Sequence, residues 1–108
     1  DTVADNASCG IFVLGEGACS SNKFAMDELE VVVTKNKKFL SAGQGSAVQG
    51  HPAQAVAWLA NTLGEYDIPL LKGEVILSGS LVPLEPAVAG DKFSMELKGV
   101  GTCEINFI

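Results

Sequence analysis

Only one stretch of this chain, Pro52 to about Leu63, sets apolar residues at helical spacing. Val56, Leu59, Ala60 and Leu63 form an i, i+3, i+4, i+7 stripe. The other apolar residues fall in short runs closed by glycine or proline, which points to a β-rich fold with a single principal helix. Pro52 suits the first helical position, where its fixed φ is already helical, and Gly64 is a natural stop. Trp58 and Ala55 lie off the stripe, and a helix apolar on most sides is covered on most sides. A chain of 108 residues holds one modest core. A neighbouring domain or subunit is therefore expected over the second face, with Trp58 and Leu59 in different contacts.

The strands follow from the remaining runs. Gly10 to Leu14, stopped by Gly15-Glu16-Gly17, reads as a buried strand, and Leu29 to Thr34 as a β-branched one. Lys35-Asn36-Lys37-Lys38 then reads as a hairpin turn, with Phe39-Leu40 opening the return strand. A type I′ turn needs φ > 0 at both central residues and prefers glycine where Lys37 stands, so the turn type stays open. Gly73 to Leu77 is expected as another strand, ending in Ser78-Gly79-Ser80. Pro83 and Pro86 keep Leu81 to Pro86 out of any central strand. Lys92 to Leu97 and Thr102 to Ile108 complete the set, each entered by a glycine turn, Gly90-Asp91 and Gly99-Val100-Gly101.

Thirteen acidic side chains face seven basic ones, a net charge of −6, which argues against nucleic acid as a partner. Charged residues make up 19% and hydrophobic ones 47%, the balance of a subunit with much of its surface covered or of a piece of something larger. The apolar runs fall far short of the ~18 residues that span a bilayer, so no membrane is expected. The start, Asp1-Thr2-Val3-Ala4-Asp5, has neither the basic region of a signal peptide nor a methionine, as in a processed, trimmed or partial chain. Cys9, Cys19 and Cys103 are odd in number and form no CxxC, which fits reduced, small buried side chains in a cytoplasmic protein.

Few residues carry chemistry on their own. Glu28-Leu29-Glu30 would put two carboxylates on one strand face, but no third hard-cation ligand stands near, so no metal site is assigned. His51 is the only histidine, and no GxSxG elbow accompanies it. In Gly50-His51-Pro52 it stands at the helix entrance, where capping and substrate contact are both open. The glycine pairs at 43 and 45, and at 99 and 101, make no nucleotide-binding loop. Two polar clusters, Asp5-Asn6-Ala7-Ser8 and Ser78-Gly79-Ser80, flank apolar runs and offer hydroxyls, an amide and backbone N–H groups to a small carboxylate. Ordinary turn chemistry uses the same residues.

Three blocks, Asp1 to Gly10, Val56 to Gly64 and Gly73 to Pro86, together with the Gly90-Asp91 and Gly99-Val100-Gly101 turns, closely resemble the 2-hydroxypenta-2,4-dienoate hydratases of the fumarylacetoacetate hydrolase superfamily. The resemblance runs through the whole chain in order, but implies that residues 1–108 are the C-terminal part of a single catalytic domain, without its N-terminal part. The implied fold is α+β and β-rich, a mixed-β arrangement with one principal helix near residues 52–64. The implied activity is metal-dependent addition of water to a small dienoate, giving 4-hydroxy-2-oxopentanoate in meta-cleavage of aromatic compounds. It implies Mg²⁺ or Mn²⁺ held by a Glu-x-Glu pair and a further acid, and a lysine acid/base, all expected before Asp1. Asn6 and Ser8, and less strongly Ser78, Gly79 and Ser80, are the implied substrate-binding residues. A homo-oligomer is implied, as is a complex with 2-oxo-3-hexenedioate decarboxylase. That sister enzyme is the alternative reading, although it typically has a Thr-Gly-Gly-Ile-like stretch where this chain has Ser78-Gly79-Ser80-Leu81. An inactive fragment with a structural role is the third.

Overall fold

The computed structural model describes residues 9–108. Asn6 and Ser8 lie outside the described residues. Four strands and one α-helix are formed: β1 (Glu30–Lys35), β2 (Lys38–Gln44), α1 (Pro52–Gly64), β3 (Lys92–Leu97) and β4 (Gly101–Asn106). The strands make one sheet in the order β2-β1-β3-β4, each neighbouring pair antiparallel. This is the expected β-rich α+β arrangement with one principal helix.

The β1–β2 hairpin closes through Asn36 (φ 53°) and Lys37 (φ 67°), both left-handed, which is the type I′ signature even though lysine occupies the place glycine favours. Pairing then slips between Val33 and Thr34, leaving Leu40 as the extra residue of a bulge in β2. Alternation sorts the sheet into two faces. Val31, Val33, Phe93, Met95, Leu97, Cys103 and Ile105 share one, with Val31 buried. Thr34, Lys92, Ser94, Glu96, Thr102 and Glu104 share the other, where Lys92 pairs with Glu104 at 3.3 Å. Lys98, just past β3, pairs with Glu30 at 2.9 Å.

A knot of polar contacts ties the hairpin turn to the loop before β3. The Asn36 Nδ2 donates to Asp91 Oδ1 (2.9 Å), and the Lys92 N–H donates to Asn36 Oδ1 (2.9 Å). The Val88 N–H donates to Asp91 Oδ2 (3.0 Å), and Lys35 Nζ lies 3.5 Å from both Asp91 and Glu85. Lys35 also donates to the Pro86 carbonyl at 3.0 Å and sits 5.4 Å from the centre of the Phe93 ring. Phe93 in turn meets Phe107 edge to face, centroids 5.8 Å apart.

Several expectations are corrected. Gly10 to Leu14 and Gly73 to Leu77 pair with no strand among the described residues, and Ile11, Phe12, Val13 and Leu14 are all exposed rather than buried. A continuous apolar run signals that a segment can be buried on both faces, but names no ladder partner. Helix α1 keeps its expected bounds, but Gly64 does not stand beyond its end. Gly64 is its last residue, and the left-handed position falls at Asp67 (φ 57°). Leu59 is half-buried, while Trp58, expected under a second cover, is 50% exposed. The cysteines are free but not buried: Cys19 is exposed, and Cys9 and Cys103 are half-buried.

Candidate functional site

Of the polar residues that sequence singled out, His51 and the Ser78-Gly79-Ser80 loop lie near where β2 ends and α1 begins. Three segments meet there because glycine lets backbones touch. A side-chain carbon on Gly45 would stand 1.7 Å from the Met26 carbonyl oxygen, and one on Gly43 would stand 2.0 Å from that of Leu81. The Gly45 N–H donates to Leu29 O and the Ser46 N–H to Asp27 O, both at 2.8 Å, fixing a single 3-10 turn over Gly45–Ala47. Buried Val48 follows this turn, and a side-chain carbon on Gly79 would stand 3.7 and 3.8 Å from its two methyls. Gly79 has φ 121°, a conformation that favours glycine.

The Ser78-Gly79-Ser80 loop is therefore docked, though not at a strand end as expected. Ser78 is half-buried; Gly79 and Ser80 are exposed. The Ser80 hydroxyl donates to the Val82 carbonyl, the local turn chemistry that such residues also serve. His51 is the N-cap of α1, its Nδ1 accepting the Ala53 N–H at 3.0 Å. That bond leaves the neutral ring's proton on Nε2, which faces Asp27 Oδ1 at 3.9 Å. This His–Asp contact went unnoticed in the sequence because 24 positions separate the pair. A histidine whose second nitrogen caps a helix orients the chain and activates no nucleophile in this arrangement.

The remaining charged candidates are engaged elsewhere. Glu28 sits in a turn outside β1, so it shares no strand face with Glu30, whose carboxylate is paired with Lys98. Among the described residues no group of three or more His, Cys, Asp or Glu side chains can hold a metal ion. The donor set thus does not fit a divalent cation. Lys35, expected on a solvated hairpin tip, instead has a side chain only 26% exposed between Glu85 and Asp91, where it acts as a tether. A depression of about 210 Å³ lies on the polar sheet face beside Lys37, Lys92 and Glu104. A second, of about 140 Å³, lies on the apolar face beneath Val13. Neither is lined by His51 or by the 78–80 loop.

Known proteins supply the context for this loop cluster. The chain is 57% identical over 107 residues to a 2-hydroxyhexa-2,4-dienoate hydratase of Comamonas testosteroni, covering 99% of this chain and 40% of that protein. It is 39% identical, with the same coverage, to a 2-keto-4-pentenoate hydratase of Paraburkholderia xenovorans. Its backbone matches a 4-oxalocrotonate decarboxylase from Pseudomonas putida, solved in complex with magnesium and adipate, with a TM-score of 0.91 and 36% identity over 99% of this chain and 41% of that one. The chain thus spans about two-fifths of the length of these relatives. The fumarylacetoacetate (FAA) hydrolase C-terminal family model matches residues 1–108, and the chain belongs to that family.

Proposed function

We propose that this chain is the C-terminal part of a metal-dependent hydratase that adds water to 2-hydroxypenta-2,4-dienoate or a close homologue. The observation that carries the reading is the 57% identity, over 107 residues, to a dienoate hydratase. The reaction has two demands: the substrate carboxylate must be held, and the enol must become a ketone so that water adds at the far end of the conjugated system. In this reading Asn6 and Ser8 meet the first demand, with Ser78, Gly79 and Ser80 as the weaker candidates. A hydroxyl donating to a carboxylate makes a charge-assisted bond, and the left-handed Gly79 lets backbone approach a ligand closely. Water addition needs an acid/base and a divalent cation. In this reading the cation's ligands and the lysine acid/base are supplied by polypeptide outside residues 1–108, as the family resemblance implies.

The reading also takes the enzyme to be cytoplasmic, in keeping with three free cysteines, and homo-oligomeric. No described helix is long and apolar enough to cross a membrane. Association with the pathway's decarboxylase rests on the resemblance alone. The second reading, that the whole protein is itself a decarboxylase, is favoured by the backbone match to that enzyme but carries only 36% identity.

The test is kinetic. In whole enzyme carrying this segment, Ser8→Ala is expected to lower kcat/KM for the dienoate roughly ten- to a hundredfold, as loss of a charge-assisted bond of about 1.5–3 kcal/mol predicts. Unchanged kinetics would leave Ser8 a turn residue. Release of carbon dioxide from 2-oxo-3-hexenedioate without hydration of the dienoate would move the assignment to the decarboxylase.

A further inference from the structure

His51 meets three parts of the chain at once. Its backbone N–H donates to the Val48 carbonyl, and its own carbonyl accepts the Gln54 N–H, both at 2.9 Å. Its Nδ1 accepts the Ala53 N–H at 3.0 Å, and its Nε2 lies 3.9 Å from Asp27 Oδ1. Just before it, Gln49 (φ 51°) and Gly50 (φ 80°) are both left-handed. That conformation is costly for glutamine and persists where hydrogen bonds around it fix the backbone. Here the Gly50 N–H donates to Ser46 O at 2.9 Å, and the Ser46 N–H to Asp27 O at 2.8 Å. Val48, which accepts from His51, is also the residue whose methyls a side chain on Gly79 would touch. From the ring to the 78–80 loop the path therefore runs through Val48.

The ring cannot be charged and cap the helix at the same time. A neutral imidazole has one bare nitrogen, here Nδ1, and that acceptor holds the Ala53 N–H. Protonation puts a hydrogen on Nδ1, donor facing donor, and sets a positive charge against the positive end of the helix dipole. The same proton strengthens the attraction of the ring to Asp27. Asp27 and Glu28 are the ionisable side chains of the turn at 25–28, and among the described residues only Asp27 pairs with His51. Segment 45–50, the loop at 78–81 and the first turn of α1 have no ionisable side chain to oppose the change. The His51 and Asp27 side chains are 39% and 44% exposed, so the proton comes from water and no charge has to be buried.

We propose that His51 is a positioning residue with two settings. Neutral, it caps α1 and fixes segment 45–51, so that Val48 seats the Ser78-Gly79-Ser80 loop. Protonated, it gives up the Ala53 N–H and turns to Asp27, and the loop loses its seat. His51 exchanges no proton with the substrate and acts only through Val48. The kinetic consequence rests on the functional reading, which makes that loop a contact of the substrate carboxylate. The structural consequence stands without it.

The experiment compares whole enzyme carrying this segment with its His51→Asn and Asp27→Asn variants at about pH 8 and about pH 5, the ends of the range in which histidine changes charge. Asparagine caps a helix well and takes no proton, so the ratio of wild type to His51→Asn at one pH cancels the titration of every other group. Amide hydrogen exchange of peptides over 45–54 and 78–81, followed by mass spectrometry, reads the structure. Near pH 5 both peptides are expected to exchange about fivefold faster in the wild type, the ratio that a typical cap represents, and near pH 8 at equal rates. The KM for 2-hydroxypenta-2,4-dienoate should follow, about fivefold higher in the wild type near pH 5 and matched near pH 8, with kcat within about twofold throughout. Asp27→Asn should keep the pattern seen near pH 8 and lose it only at a lower pH, because the charged ring has no partner to turn to. Equal exchange near pH 5, faster exchange in 45–54 with 78–81 unmoved, or an unmoved KM in protein that hydrates the dienoate would overturn the proposal. The expected exchange pattern without hydration of the dienoate by any of the three proteins would sink the functional reading and leave the two settings of His51 standing.

Discussion

Asp91 is the one charged side chain that the described residues bury, at 8% exposure, and it holds together stretches of chain far apart in sequence. The Val88 N–H, then the Asn36 amide and the Lys35 ammonium, keep its carboxyl below the ordinary value of 3.8, against the opposing effect of burial. A carboxyl depressed in the folded state stabilises fully above its unfolded value, and that contribution fades as pH falls from about 3.8 through the lower folded value. Asp91→Asn is therefore expected to lower the denaturation midpoint at pH 7 and to flatten the dependence on pH below 4, as urea titrations at several pH values would read. An unchanged acid limb would contradict the assignment. Lys37 raises the opposite case. A non-glycine residue at φ 67° is strained, so Lys37→Gly should stabilise the hairpin by about 0.5–1 kcal/mol in the same titration. At Gly45 any side chain meets the Met26 carbonyl, and Gly45→Ala is expected to cost about 2 kcal/mol or more. Little of this was legible beforehand. The turn was evident from Lys35-Asn36-Lys37-Lys38, but Asp91 lies 55 positions from Asn36, and no local pattern links them.

At the scale of elements, the sequence was a good guide wherever structure depends on local periodicity. The hairpin strands, β3 and α1 stand within a residue or two of their expected limits, because β-branching, the start at Pro52 and the glycine turns act locally. Ile11–Leu14 and Gly73–Leu77 show where that guide fails. Hydrophobicity marks a segment's fitness for a core, whereas a strand exists only when a partner takes its hydrogen bonds. The candidate site was legible as residue types, and its assembly was not: Gly43 and Gly45 bring the 26–29 and 79–81 segments together through contacts that no spacing rule encodes. His51 could be read as a cap from its place before Pro52. His51→Ala is expected to lower the stability of α1 by about 0.5–1 kcal/mol, seen as reduced helical circular dichroism and a lower midpoint. An unchanged midpoint would mean that the cap contributes nothing.

For the whole molecule, the distribution of apolar residues dominates. Among the described residues Val31 and Val48 are the buried hydrophobic ones, while Trp58, Tyr66, Leu71 and Leu84 stand among the exposed. A surface of this kind associates, so residues 1–108 alone are expected to dimerise or aggregate, as light scattering would show. In the proposed function the residues that hold the substrate carboxylate are in this chain, and the groups that bind metal and move protons are supplied by polypeptide outside it. The direct measurement is the rate of loss of 2-hydroxypenta-2,4-dienoate with Mg²⁺ or Mn²⁺, for residues 1–108 alone and for whole enzyme carrying this segment. The expected result is no turnover by residues 1–108 alone and metal-dependent hydration by the whole enzyme. Turnover by the 108 residues alone, within about tenfold of the whole enzyme, would contradict it, because the catalytic groups would then have to lie within this sequence.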